Sequence, residues 1–83
     1  MGLPEQPVML TPAQIGELNE KLSKMRHDIN NNLALMMAAA ELARLKPDLA
    51  EKMLGRLIEQ PAKITVQIKE FSAAFEKTLQ ITR

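Results

Sequence analysis

Cysteine, tryptophan and tyrosine are absent from this chain of 83 residues, and two phenylalanines are its only aromatic side chains. Without cysteine the protein forms neither a disulfide nor a cysteine-based metal site, which fits a reducing compartment. Proteins that bind single-stranded nucleic acids stack bases on several aromatic side chains. A basic stripe is lacking as well, because 11 basic and 10 acidic residues are mixed along the chain and leave a formal net charge of +1. We therefore expect no nucleic-acid partner.

Long apolar runs are also lacking. The longest covers residues 33–40, which is too short to span a bilayer. The N-terminus does not show the basic-then-apolar order of a secretion signal. We therefore expect no membrane partner in this segment and a cytoplasmic location.

The first ten residues contain Pro4 and Pro7 and show no periodicity, which predicts a flexible N-terminal tail over residues 1–10. Thr11 and Pro12 then form a helix start, a capping hydroxyl followed by proline at the first helical position. Steps of three and four between apolar residues predict helix one over about residues 11–45. These residues are Ile15, Leu18, Leu22, Met25, Ile29, Leu33, Met36, Ala40 and Ala43. One extra step of four crosses residues 30–32 and predicts a stutter, with local unwinding of the supercoil.

A second helix follows the break at Lys46, Pro47 and Asp48, and its pattern extends over about residues 47–82. Its apolar seam also alternates steps of three and four. The seam consists of Leu54, Leu57, Pro61, Ile64, Ile68, Phe71 and Phe75. Pro61 lies inside this pattern, so it either kinks or breaks the helix, and the continuing seam favours a kink.

Two long helices with a short connection predict an all-α fold, an antiparallel two-helix hairpin over residues 11–83. A single hairpin of this length has little core, and oligomerisation is the usual remedy in small folds. We therefore expect the hairpin to dimerise into a four-helix bundle.

The only histidine, His27, lies in the middle of helix one, two residues from both Met25 and Ile29, and so points away from the seam. Asp28 follows it directly, and Asn31 lies one turn later on the same helix face. These three residues are the candidate site. The alternative is a solvent-exposed surface histidine without a functional role. A metal site is not expected, since no carboxylate, cysteine or second histidine stands three or four residues from His27.

Two neighbouring groups of polar residues allow structural explanations. Asn32 falls where a strict heptad requires an apolar residue, and a polar residue there often sets register or oligomeric state. Three cations precede the histidine and could attract phosphate, although a solvated, ion-paired face explains them equally well. These cations are Lys21, Lys24 and Arg26. The i,i+4 ion pairs expected from the spacing are Glu17–Lys21, Glu20–Lys24 and Glu59–Lys63.

Residues 27–33 read His-Asp-Ile-Asn-Asn-Asn-Leu. This segment resembles the H-box of histidine kinases, in the subgroup whose motif runs His-Asp-x-Asn-Asn. The resemblance extends from about Thr11 over the helix–turn–helix arrangement of the dimerisation and histidine-phosphotransfer domain. The Phe71-Ser72 pair also resembles a segment near the end of helix two in that domain. The chain departs from the commoner pattern at Asn32, where many relatives carry a proline that bends helix one, and Pro61 could supply a compensating bend.

The resemblance implies a phosphoacceptor domain of two-component signalling, the phosphotransfer part of a protein-histidine kinase. His27 would accept the phosphoryl group on Nε2, Asp28 would orient and activate the imidazole, and Asn31 would position a water molecule for dephosphorylation of the partner. The implied partners are a second copy of the chain, a response-regulator receiver domain, and an ATP-binding kinase domain acting in cis or in trans. No glycine-rich, phosphate-cradling segment is present, so no cofactor is expected in this chain, and ATP and Mg²⁺ would act only through a separate catalytic domain. The alternatives are a structural dimerisation module or a helical adaptor with a vestigial H-box.

Overall fold

The computed structural model describes residues 3–4 and 6–80, and its regular structure is entirely helical. Helix α1 covers Pro12–Leu45, a single 3₁₀ turn covers Pro47–Leu49, and helix α2 covers Ala50–Thr78. The two α-helices pack against each other along their length. The all-α, two-helix prediction is therefore confirmed.

The start of α1 is a capping box. The Thr11 hydroxyl accepts a hydrogen bond from the Gln14 backbone N–H at 3.1 Å, and the Gln14 side-chain oxygen accepts one from the Thr11 N–H at 2.9 Å. Two of the N–H groups that a helix start leaves unpaired are thus satisfied, and Pro12 has no N–H to satisfy. The predicted start of helix one is confirmed.

The second helix is shorter than its predicted span of about 47–82. The chain reverses through the 3₁₀ turn, where the Leu49 N–H donates to the Lys46 carbonyl at 2.9 Å, so α-helical geometry begins only at Ala50. At the other end α2 stops at Thr78, and Gln80 adopts a φ of 57°, a left-handed conformation that cannot continue the helix. The last residues of the prediction, 81 and 82, lie outside the described part of the chain.

Pro61 does not break α2, which continues from Ala50 to Thr78. Because proline lacks an N–H, the Leu57 carbonyl has no helical donor four residues later. The Pro61 carbonyl itself accepts an additional hydrogen bond from the Thr65 hydroxyl at 3.0 Å. The pairing of Asn32 with Gln67 places Pro61 opposite about residue 38, roughly three turns from His27. The idea that Pro61 compensates for a bend near the histidine is therefore wrong.

The contact line between the helices follows the predicted seams at some positions, such as Met36 and Leu57, and runs one residue beside them at others. On α1 it passes through Asn32 and Ala39, which are buried, whereas Leu33 is 45% exposed. Along α1 the contact line advances by alternating steps of three and four residues without interruption, so the predicted stutter is wrong. On α2 the buried residues are Met53 and Gln60. At these positions the seam prediction selected the apolar neighbour, whereas an alanine, a methionine and two amide side chains are buried where the helices approach.

The residues displaced from the contact line form one continuous surface, which we call the apolar face. In an antiparallel helix pair, the residue after a contact residue turns to the same side of the pair on both helices. The apolar face consists of Leu33, Ala40, Leu54, Pro61, Ile68 and Phe75, all of which are exposed. The Cα atoms occupy 58 × 25 × 11 Å, so the molecule is a single helical layer that cannot enclose this face.

Candidate functional site

His27 lies in the middle of α1 and is exposed, on the side of the helix turned away from α2. The prediction that its imidazole points away from the seam is confirmed. Among the described residues, no side chain forms a hydrogen bond or ion pair with it. The imidazole is therefore open to a reaction partner from solvent.

Asp28 is half-buried, and its carboxylate is bound to Lys24. The Lys24 Nζ lies 2.8 Å from Asp28 Oδ2, a charge-assisted hydrogen bond across one helical turn. Consecutive helical residues point about 100° apart, which turns Asp28 toward the α2 side and away from the imidazole. The structure thus brings Asp28 next to His27 along the chain, while its carboxylate pairs with Lys24.

Lys24 pairs with Asp28 and not with Glu20. The predicted Glu20–Lys24 ion pair is therefore wrong. The hydrogen bond from the Lys24 ammonium to Asp28, together with the carboxylate's negative charge, raises the pKa of Lys24, and Glu70 of α2 adds a smaller contribution. The Glu17–Lys21 pair is present at 3.1 Å. No Glu59–Lys63 pair is formed within the described part of the chain.

Asn31 is exposed one turn after His27, as the spacing predicts. Asn32, by contrast, is 8% exposed, and its Nδ2 donates to Gln67 Oε1 on α2 at 3.4 Å. Asn31 therefore faces outward, while Asn32 lies on the contact line between the helices. The cross-helix pair with Gln67 was not predicted, because a search for apolar residues passes over a glutamine between Val66 and Ile68.

Gln60 is a second buried amide that the apolar pattern did not reveal. It is 6% exposed, and its Nε2 donates to the Arg56 carbonyl at 3.4 Å, while its Oε1 has no hydrogen-bond partner among the described residues. Gln60 and Gln67 continue the three-and-four spacing from Met53, and this regularity could have identified both. The contact line therefore contains buried or half-buried amide side chains at two positions along the hairpin, the Asn32–Gln67 pair and Gln60.

A groove of about 280 Å³, here called the polar groove, runs between the helices beside this site. Asp28 and Lys24 form part of its α1 wall, and Glu70 and Gln67 part of its α2 wall. Its complete lining is Lys21, Lys24, Met25, Asp28, Gln67, Glu70, Phe71 and Ala74. The polar groove and the apolar face lie on opposite sides of the hairpin. Lys24 and Glu70 each precede a half-buried residue of the contact line, whereas each member of the apolar face follows a contact residue.

Within residues 3–4 and 6–80, no three histidine, cysteine, aspartate or glutamate side chains cluster as they would around a metal ion. Neither α1 nor α2 has the length and apolar character needed to cross a membrane. The chain matches no protein-family model, and it has no significant match among curated proteins or solved structures.

Proposed function

We propose that this protein is a phosphoacceptor histidine domain of two-component signalling, which carries a phosphoryl group on His27. The observation that carries the proposal is the exposed, unpaired imidazole of His27 on a 34-residue helix, within the sequence that resembles an H-box. The helix fixes the backbone position of His27, and exposure permits the in-line approach of a partner's aspartyl phosphate.

The chemistry requires little from the chain itself. The lone pair of His27 Nε2 attacks phosphorus, the P–O bond to the partner's aspartate breaks, and its electron pair returns to that carboxylate. The proton on Nδ1 is then available to a base, and Asp28 stands next in sequence to accept or orient it once Lys24 releases the carboxylate. Asn31, exposed one turn away, has an amide that could orient a water molecule.

The apolar face supports a homodimer as the working form of the domain. Its members Leu33, Leu54 and Ile68 are 45–48% exposed in the single hairpin, and a second copy would remove them from water. A patch of this kind is typical of an interaction surface. Because His27 and Lys24 do not lie on the apolar face, a dimer formed there leaves the candidate site open to a receiver domain.

The second candidate is a structural dimerisation module in which the H-box has no chemical role. The apolar face favours it equally, because dimerisation through that face does not involve His27. Phosphorylation of His27 separates the two candidates.

The test is phosphoryl transfer from receiver domains. Receiver domains encoded in the same genome are purified, charged with acetyl phosphate and mixed singly with the full chain. We expect at least one of them to transfer its phosphoryl group to the chain as an acid-labile, base-stable phosphoramidate. The variant His27→Gln should accept none, with unchanged helicity and association, because the side chain faces solvent.

Two results would contradict the proposal. Undiminished labelling of His27→Gln would assign the phosphoryl group to another residue. A folded, dimeric wild-type chain that accepts phosphate from no receiver would leave the structural dimerisation module as the better account.

A further inference from the structure

Lys24 occupies a distinctive position relative to His27. Residues three apart on a helix have Cβ atoms about 5–6 Å from each other, and helical side chains lean toward the N-terminus. The imidazole of His27 therefore lies over the turn that carries Lys24. The Lys24 side chain is 77% exposed, and its Nζ reaches forward to the Asp28 carboxylate, which is adjacent to His27 in the chain.

The other cations near His27 are less well placed. Lys21 lies two turns before His27 and is paired with Glu17 at 3.1 Å. Arg26 directly precedes His27 and therefore points about 100° away from it on the helix. The charged groups that face Lys24 are Asp28 on its own helix and Glu70 on α2, across the polar groove.

We propose that Lys24 binds the phosphoryl group on His27, exchanging its ion pair with Asp28 for one with the phosphoryl oxygens. This inference rests on the proposed function. A phosphoryl group carries up to two negative charges and three acceptor oxygens, whereas Asp28 offers one charge and two oxygens. The exchange releases the Asp28 carboxylate at the moment when His27 becomes phosphorylated, so Lys24 links the two residues.

The effect should have the size of other exposed charge pairs. Such pairs change an equilibrium constant by about two- to fivefold, and salt weakens them. Loss of a proton adds negative charge to the phosphohistidine. We therefore expect this ionisation to be about two- to fivefold more favourable with Lys24 present. The difference should shrink as the ionic strength is raised from about 0.01 to 1 M.

The experiment uses potassium phosphoramidate, which phosphorylates histidine without any protein partner. His27 Nε2 forms the bond to phosphorus, the P–N bond of the reagent breaks, and ammonia leaves with the electron pair. Because His27 is the only histidine in the chain, one phosphohistidine signal is expected in the ³¹P NMR spectrum, and His27→Gln identifies it by its absence. The pH titration of that signal reports the apparent acid dissociation constant.

We expect Lys24→Met to decrease this dissociation constant about two- to fivefold, which means a higher apparent pKa of the phosphohistidine. Lys24→Arg should restore it, because the charge is retained. Lys21→Met is the matched control, since it removes the same charge from the same groove one turn further away, and it should leave the titration nearly unchanged. A titration that is equal in wild type and Lys24→Met would overturn the proposal.

A second comparison separates direct binding from an effect through Asp28. Lys24→Met leaves the Asp28 carboxylate uncompensated, and this charge alone would alter the titration. The measurement is therefore repeated in an Asp28→Asn background, where direct binding predicts that Lys24→Met still decreases the dissociation constant. Loss of the effect in that background would overturn the proposal and assign Lys24 the role of neutralising Asp28 alone.

The inference and the proposed function fail separately in this design. The reagent modifies an exposed histidine whether or not a receiver domain recognises the chain. Failure of every receiver to transfer phosphate would count against the proposed function, whereas only the titrations of the chemically phosphorylated chain decide the role of Lys24.

Discussion

At the scale of single residues, the carboxylate beside His27 is held by a lysine. Asp28 and Lys24 form an ion pair at 2.8 Å, so the proposed orienting role of the carboxylate requires that Lys24 first move away. His27 and Asp28 are adjacent in the sequence but point about 100° apart on the helix. Lys24, one turn before them, lies near His27 and pairs with Asp28. The phosphorylated and unphosphorylated sites should differ in this pairing.

Asn31 is the residue for which a chemical and a structural role predict different results. Asn31→Ala should raise the free energy of unfolding by about 0.5 kcal/mol in either case, because alanine is the better helix former. If the amide positions a hydrolytic water, the variant should also slow the decay of the receiver's aspartyl phosphate by about tenfold. The measurement is a time course of receiver dephosphorylation at matched dimer concentrations.

The control for Asn31 is Asn19→Ala, another exposed asparagine of α1 located two turns before His27. It should give a similar gain in helix stability and no change in decay. Equal decay rates for wild type and Asn31→Ala would remove Asn31 from the site and leave the role of His27 untouched.

At the scale of helices, Pro61 lies within a continuous α2 and leaves the Leu57 carbonyl without its helical donor. Pro61→Ala restores that hydrogen bond and the helix propensity of the position. We expect it to raise the free energy of unfolding by about 1–3 kcal/mol, measured by urea denaturation. Phosphorylation of His27 by phosphoramidate should not change, since Pro61 lies about three turns away.

Gly55→Ala is a useful comparison for Pro61→Ala in the same helix. A Cβ at Gly55 meets no atom within 4 Å, so this substitution tests helix propensity alone. Its expected gain is about 0.5–1 kcal/mol. A gain for Pro61→Ala no larger than that of Gly55→Ala would mean that α2 already accommodates the unpaired Leu57 carbonyl without cost.

At the scale of the whole molecule, the two sides of the hairpin differ in chemistry. The polar groove carries Lys24, Asp28 and Glu70, whereas the opposite side carries the apolar face. Among the described residues, Ala39 and Met53 are the buried apolar side chains, which is a small core for two helices of this length. This asymmetry is the physical basis for predicting a dimer through one defined side.

The dimer prediction can be tested with two substitutions on α2. Ile68 lies on the apolar face and Val66 on the opposite side, and they are 46% and 53% exposed. Ile68→Glu should dissociate the dimer, because each copy would bury a carboxylate in the interface. Val66→Glu should leave it intact. Sedimentation equilibrium at micromolar concentration gives the measurement, and a cooperatively folded wild-type monomer would contradict the four-helix-bundle prediction.

The sequence by itself determined the local features of this protein. They are the helix start at Thr11, the turn after Leu45 and the two long helices, which follow from interactions within a few residues of the chain. The outward direction of His27 follows from helical periodicity, which depends on no partner. The identity of the candidate site was therefore accessible before any contact between the helices was known.

Only the tertiary structure decided which stripe of each helix faces the other. Apolar residues line two adjacent stripes, and a choice between Asn32 and Leu33, or between Gln67 and Ile68, depends on the surface that the second helix presents. Ala39 permits close approach, and Asn32 pairs with Gln67 across the contact, which leaves the neighbouring Leu33 and Ile68 on the outer face. The partner of Lys24 was predicted wrongly for a similar reason. Glu20 and Asp28 are equally spaced from Lys24 in the sequence, and in the folded hairpin Lys24 pairs with Asp28, on the wall of the polar groove.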